Sequence, residues 1–174
     1  SAAVQMAKAH GCTVIAAAGG PDKVEVCRSL GADVVVDYNS EDLYDKVMDA
    51  TSGRGCDLIY DPVGGEFFDT ARRLVAWEGR LLVVGFASGD IPTAPANHIL
   101  VKNYSVVGVH MGGYKGRMDD VLDSCYDELW ELVGSGALDP LVSKELPLEG
   151  LMEGLVDLST RKTTGRVMLR PDMT

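Results

Sequence analysis

Residues 1–18, SAAVQMAKAHGCTVIAAA, decide the fold. Ser1 to Gly11 reads as the second half of a helix, and Thr13 to Ala18 reads as a short apolar strand that follows it at once. The rest of the chain keeps that alternation. Pro21 to Leu30 has proline at a helix start and Val24, Cys27 and Leu30 three apart, and Gly31 stops it. Asp33 to Asp37, DVVVD, is a buried strand candidate. Ser40 to Ala50 opens with a Ser cap and acidic first-turn residues and carries Leu43, Val47 and Met48 on one face. Cys56 to Tyr60 is a strand, and Glu66 to Trp77 a helix with Phe67, Ala71, Leu74 and Val75 inward. Gly79 to Gly85, GRLLVVG, is a strand, Asn97 to Val101 a helical turn, Tyr104 to His110 a strand, and Arg117 to Val133 an amphipathic helix.

Strands separated by helices require crossover connections, which predicts an α/β, doubly wound and mostly parallel sheet with helices on both faces. The near-continuous apolar runs VVV and LLVV suit strands covered on both sides. A dinucleotide-binding unit of this kind would place a strand and a glycine-rich turn ahead of the first helix, and neither precedes Ser1 in this sequence. After Gly134 the character changes. SGALDP is a breaker cluster, followed by a strand (Leu141 to Leu146), a helix (Leu148 to Leu158) and a strand (Arg166 to Arg170). The expected division is 1–140 as a partial nucleotide-binding domain and 141–174 as a segment of a second module.

Composition narrows the function. The 174 residues carry a net charge of −10, the wrong sign for a nucleic-acid footprint or an anionic membrane surface. No apolar run approaches the roughly 20 residues of a membrane-spanning helix. The cysteines Cys12, Cys27, Cys56 and Cys125 show no CxxC spacing, so no zinc site is expected. Each adjoins an apolar run and is expected to pack as a small hydrophobe in a reducing compartment, which suits the cytoplasm.

The candidate chemistry lies in loops after strands, where open α/β sheets bind ligands. NAD enzymes commonly carry an acid at the tip of the second strand to accept the ribose 2′-hydroxyl. Here that tip is Ala17, Ala18, Gly19, Gly20, with no carboxylate to repel a 2′-phosphate. Lys23 follows one turn on, behind Pro21 at a helix N-terminus that favours anions. Tyr38 ends the next strand and could reach the same phosphate; a solvated lysine and a surface tyrosine are the alternatives. DPVGG (Asp61 to Gly65) and GFASG (Gly85 to Gly89) end the following strands. Their glycines allow a ligand close to the backbone, where a carboxamide or ribose could bind. His10, His98 and His110 have no nucleophile beside them, and no general acid or base is assigned.

Taken in order, SAAVQMAKAHGCTVIAAAGGPDK, SLGADVVVDYNSEDL, GCDLIYDPVGG, GRLLVVGFASG, KNYSVVGVHMGGY and TGRVMLRP resemble the zinc-free quinone oxidoreductases of the medium-chain dehydrogenase/reductase superfamily. The resemblance implies a Rossmann-like fold lacking its first strand and glycine-rich loop, with 141–174 returning to a substrate domain. It implies hydride transfer from NADPH to quinones, enones or related carbonyls. It gives Lys23 and Tyr38, beside Gly19, to the adenosine 2′-phosphate, and Val63, Gly64, Gly85, Phe86 and Ala87 to the nicotinamide side. It implies a homodimer through the edge strand Tyr104 to His110. With the substrate domain outside the sequence, slow or absent turnover by these 174 residues alone is expected. A non-catalytic, self-associating or protein-binding module and a fragment of an enoyl reductase are the other readings.

Overall fold

The alternation read from the sequence is the alternation observed. In the computed structural model, which describes residues 1–173, the order is α1 (Ala2–Ala9), β1 (Ile15–Ala18), α2 (Pro21–Ser29), β2 (Val34–Asp37), α3 (Leu43–Ala50), β3 (Cys56–Asp61), α4 (Gly65–Leu74) and β4 (Val75–Val83). There follow α5 (Ala96–Lys102), β5 (Ser105–Gly108), α6 (Asp119–Gly134), β6 (Val142–Leu146), α7 (Leu151–Ser159) and β7 (Arg166–Leu169). Thr174, the last residue of the 141–174 segment, lies outside the described residues. Every strand pairing is parallel, in three sheets ordered β1-β2, β3-β4-β5 and β6-β7. The chain divides into two compact units, residues 1–39 with the segment from Cys125 onward, and Ser40–Ser124.

In the first unit β1 and β2 pair in register from Ile15↔Val34 to Ala18↔Asp37. Ala16, Ala18, Val24 and Val36 are buried about this pair. The Gln5 side chain acts like a strand neighbour to residue 139: its Nε2 donates to the Asp139 carbonyl (2.8 Å) and its Oε1 accepts the Asp139 N–H (2.7 Å). That pairing fixes α1 to the start of the C-terminal segment. There, Leu146 on β6 packs under Gly154 of α7, where an added Cβ would lie 3.2 Å from Val167 and 3.4 Å from Leu146. Lys144 closes the same face on Glu153 (2.5 Å) and Asp157 (2.8 Å).

The second unit is built on β4, the middle strand. Leu81 on β4 has no exposed surface and sits in a core with Phe68, Ala71, Val75 and Tyr104. Several local readings are corrected here. The side chain capping α3 is Asp42, which accepts the Asp45 N–H at 2.9 Å, and not Ser40. The inward residue of α4 is Phe68 rather than Phe67, and that helix ends at Leu74 instead of Trp77. Val75–Trp77 belong to β4, because Val75 pairs with Cys56 before a register shift brings Arg80 opposite Leu58. Glu78 lies between, with φ of +58°. The edge strand is four residues, Ser105–Gly108, not the long run Tyr104–His110, and Tyr104 turns into the core. Cys12 and Cys125 are exposed rather than packed, and Cys27 and Cys56 are half-buried. No helix among the described residues is long and apolar enough to cross a membrane.

Candidate functional site

Parallel strands carry their following loops on one rim. In the first unit, the terminal register pair Ala18↔Asp37 sets Gly19 next to Tyr38. The Tyr38 ring covers Gly19 so closely that a Cβ there would meet its hydroxyl at 2.6 Å. Gly20 follows with φ of +90° and ψ of 158°, a region open only to glycine. The Asp37 carboxylate fixes this turn, accepting the N–H of Gly20 (2.9 Å) and of Asn39 (3.0 Å). α2 then starts at Pro21, and the Asp22 and Lys23 N–H groups lie in its first turn, without intrahelical partners.

Gly19, Gly20, Pro21, Asp22 and Lys23 form one wall of a cleft of about 280 Å³. The opposite wall is Arg161, Lys162 and Thr164, which sequence reasoning missed. Arg161 stands just past the end of α7. Its N–H donates to the Leu158 carbonyl (3.1 Å), and the Lys162 N–H donates to Asp157 (2.9 Å), which closes the helix as a Schellman motif. The first of these positions normally holds glycine; here Arg161 occupies it with φ of +58°. A left-handed non-glycine residue costs about 1–2 kcal/mol. Lys23, Arg161 and Lys162 thus converge on one cleft, opposed by the single carboxylate of Asp22. A phosphate-bearing ligand fits this charge and shape.

In the second unit the pair Asp61↔Val83 ends β3 and β4 on a common rim. Asp61 is buried, and its Oδ1 accepts the N–H groups of Val63 (2.8 Å) and Gly64 (3.0 Å). Gly64 and Gly65 both have positive φ, +70° and +55°. A Cβ on Gly64 would lie 3.0 Å from the Phe86 ring and 3.0 Å from the Asp90 carbonyl. Gly85 is equally close to the neighbouring loop, its virtual Cβ 3.3 Å from the Pro62 carbonyl. Ala87 donates its N–H to that same carbonyl (3.1 Å). Val63, Gly64, Gly85, Phe86 and Ala87 are therefore brought together, as Gly19, Lys23 and Tyr38 are in the other unit.

The histidines take separate roles. His10 bonds Met6 and Glu128, and His98 packs edge-on to Tyr104, with burial and the nearby Arg72 and Lys102 pulling its pKa down. His110 is exposed. Among the described residues no group of three or more His, Cys, Asp or Glu could hold a metal ion.

The zinc-binding dehydrogenase family model matches residues 1–127. A quinone oxidoreductase-like protein 2 homolog of Nematostella vectensis is 35% identical over 164 residues, 94% of this chain and 45% of that protein. The solved quinone oxidoreductase of Pseudomonas syringae superposes with a TM-score of 0.86 at 31% identity, over 98% of this chain and 52% of that one. The Escherichia coli quinone oxidoreductase, solved as a complex with NADPH, gives a TM-score of 0.87 at 26% identity, over 98% and 53%. The chain thus spans about half the length of the proteins it matches.

Proposed function

This chain belongs to the zinc-binding dehydrogenase family, within the medium-chain dehydrogenase/reductase superfamily, and from that premise we propose that it is the cofactor-binding part of an oxidoreductase that uses NADPH to reduce quinones, enones or related carbonyls. The observation that carries the reading is the cleft in which Lys23, Arg161 and Lys162 face a strand tip without a carboxylate. A 2′-phosphate has cations and first-turn amides to meet there, and the Asp37 carboxylate at the end of β2 is engaged by two backbone N–H groups.

The dinucleotide fits the residues present. When bound, NADPH supplies the hydride, and the protein supplies orientation and exclusion of water. Lys23, Arg161 and Lys162 would hold the 2′-phosphate, with the Tyr38 ring fixed against Gly19 beside them. Val63, Gly64, Gly85, Phe86 and Ala87 would flank the nicotinamide, with the half-exposed Phe86 ring against Gly64 screening it from solvent.

The substrate, a small quinone or enone, would be selected largely outside these residues. Residues 141–174 would serve a substrate domain, so the 174-residue chain alone would turn over slowly. Among the described residues β5 has a strand partner, β4, on one side, and its other edge supports a homodimer through that strand. The composition suits a cytoplasmic protein. Titration of the chain with NADPH and NADH tests the cofactor assignment, and equal affinity for both would defeat it.

A further inference from the structure

The two rim loops of the second unit are tied by one side chain. The Ser88 hydroxyl donates to the Val63 carbonyl (2.8 Å), and the Ser88 N–H donates to the same oxygen (3.0 Å). The hydroxyl oxygen in turn accepts the Asp90 N–H at 3.2 Å, and the Asp90 carbonyl accepts the Gly65 N–H at 3.2 Å. From below, Asp61 takes the N–H groups of Val63 and Gly64. Both lone pairs of the Val63 carbonyl and the N–H groups on either side of it are therefore occupied by protein. The N–H groups of Gly85 and Phe86, by contrast, donate to no group among the described residues.

We propose that Ser88 and Asp61 are positioning residues that lock the loop after β3 as a rigid clamp, so that the loop after β4 presents the Gly85 and Phe86 N–H groups to the carboxamide end of the cofactor, a role that rests on the NADPH reading above. Val63 then contributes its side chain but not its peptide groups. The division follows from hydrogen-bonding capacity: a saturated peptide cannot receive a carboxamide, while two adjacent unpaired N–H groups can. Ser88 is exposed and Asp61 buried, so the first can be changed without disturbing the core.

The test compares the 174-residue wild type, Ser88→Ala and Ser88→Thr. Threonine at 88 keeps the hydroxyl that donates to the Val63 carbonyl and serves as the conservative variant. Amide hydrogen exchange is followed without cofactor, and NADPH and 2′,5′-ADP are titrated, with reduced-nicotinamide fluorescence as the readout of an ordered nicotinamide. Ser88→Ala is expected to speed exchange in residues 87–90, whose N–H groups are bonded within the two loops, about fivefold, the worth of one net hydrogen bond. It should weaken NADPH by a similar factor and diminish the fluorescence enhancement. Affinity for 2′,5′-ADP, which lacks the nicotinamide, should stay unchanged, and Ser88→Thr should restore wild-type exchange and NADPH binding. Unchanged exchange and unchanged NADPH fluorescence in Ser88→Ala would overturn the lock. Equal weakening of NADPH and 2′,5′-ADP would overturn it as well, reducing Ser88 to general stability. Failure of the NADPH reading looks different, because the wild type would then bind neither ligand.

Discussion

The Tyr38 ring lies on Gly19 with no room for a side chain between them: a Cβ on residue 19 would stand 2.6 Å from the Tyr38 hydroxyl and 2.7 Å from the carbon that bears it. Strand register creates this contact, since Ala18 and Asp37 are the last pair of β1 and β2. Gly19 has an ordinary backbone conformation, so the restriction is purely one of space. Gly19→Ala should displace the ring and lower stability by about 1–3 kcal/mol, the usual range for overpacking. NADPH affinity should fall with it, and a denaturant titration paired with a cofactor titration checks both.

Arg161 offers a prediction in which stability and binding move in opposite directions. Arg161→Gly relieves the left-handed strain at φ +58° while removing a cation from the cleft. Stability should rise by about 0.5–1 kcal/mol, less than the full strain because glycine also frees the unfolded chain. NADPH should bind about tenfold more weakly, in line with the loss of one charge-assisted hydrogen bond, and NADH should be unaffected. Urea midpoints and the two titrations decide it. A loss of stability would show that the arginine is there for packing.

His10 predicts a pH dependence. Its Nδ1 faces the Met6 carbonyl and its Nε2 faces Glu128, each at 2.7 Å, and two acceptors require two ring protons. The Met6 carbonyl first, and the Glu128 carboxylate second, raise its pKa above the ordinary 6.5. A group raised on folding contributes stability fully below its unfolded pKa and loses that contribution as pH rises through the folded value. The His10 ring signal in an NMR titration should therefore move at a pH above 6.5, and Glu128→Gln should return it toward that value. An unshifted midpoint in the wild type would contradict the contact.

The core prediction concerns Leu81, fully buried among Phe68, Ala71, Val75 and Tyr104. Leu81→Ala should cost about 2–5 kcal/mol by transfer and cavity together, read as a shift in denaturant midpoint without a change of slope.

The edge of β5 bears on association. If β5 is a dimer edge, sedimentation equilibrium should give a dimer mass, and Val107→Lys should shift it toward monomer. A monomer at all concentrations would remove that proposal.

The order of elements was legible because each carried its own punctuation, such as Pro21 opening α2 and Gly31 following its end. Local choices between neighbours were harder. Asp42 and Ser40 are both cap residues, and only the actual turn decides which reaches the Asp45 N–H. Phe67 and Phe68 are adjacent, and a shift of one residue rotates a helix face by about 100°. Trp77 continued an apolar helical pattern, but β4 begins at Val75 because pairing with Cys56 overrides local propensity. The site was half legible. The glycines after β1, β3 and β4 marked the rims, and the missing acid marked the cleft. Arg161 and Lys162 lie more than a hundred residues from Lys23 and join it only through the fold, although an Arg-Lys pair directly after a helix, ahead of Gly165, was the available signal. Ser88 gave no signal of its own, since its role depends on which carbonyl the opposite loop turns toward it.

The most direct measurement is the affinity of the 174-residue chain for NADPH against NADH at one ionic strength, repeated with Lys23→Ala. Tighter binding of NADPH by at least about tenfold, largely abolished by Lys23→Ala, is the predicted result, since one charge-assisted phosphate contact is worth that much. Equal affinity for the two dinucleotides, untouched by Lys23→Ala, would contradict it.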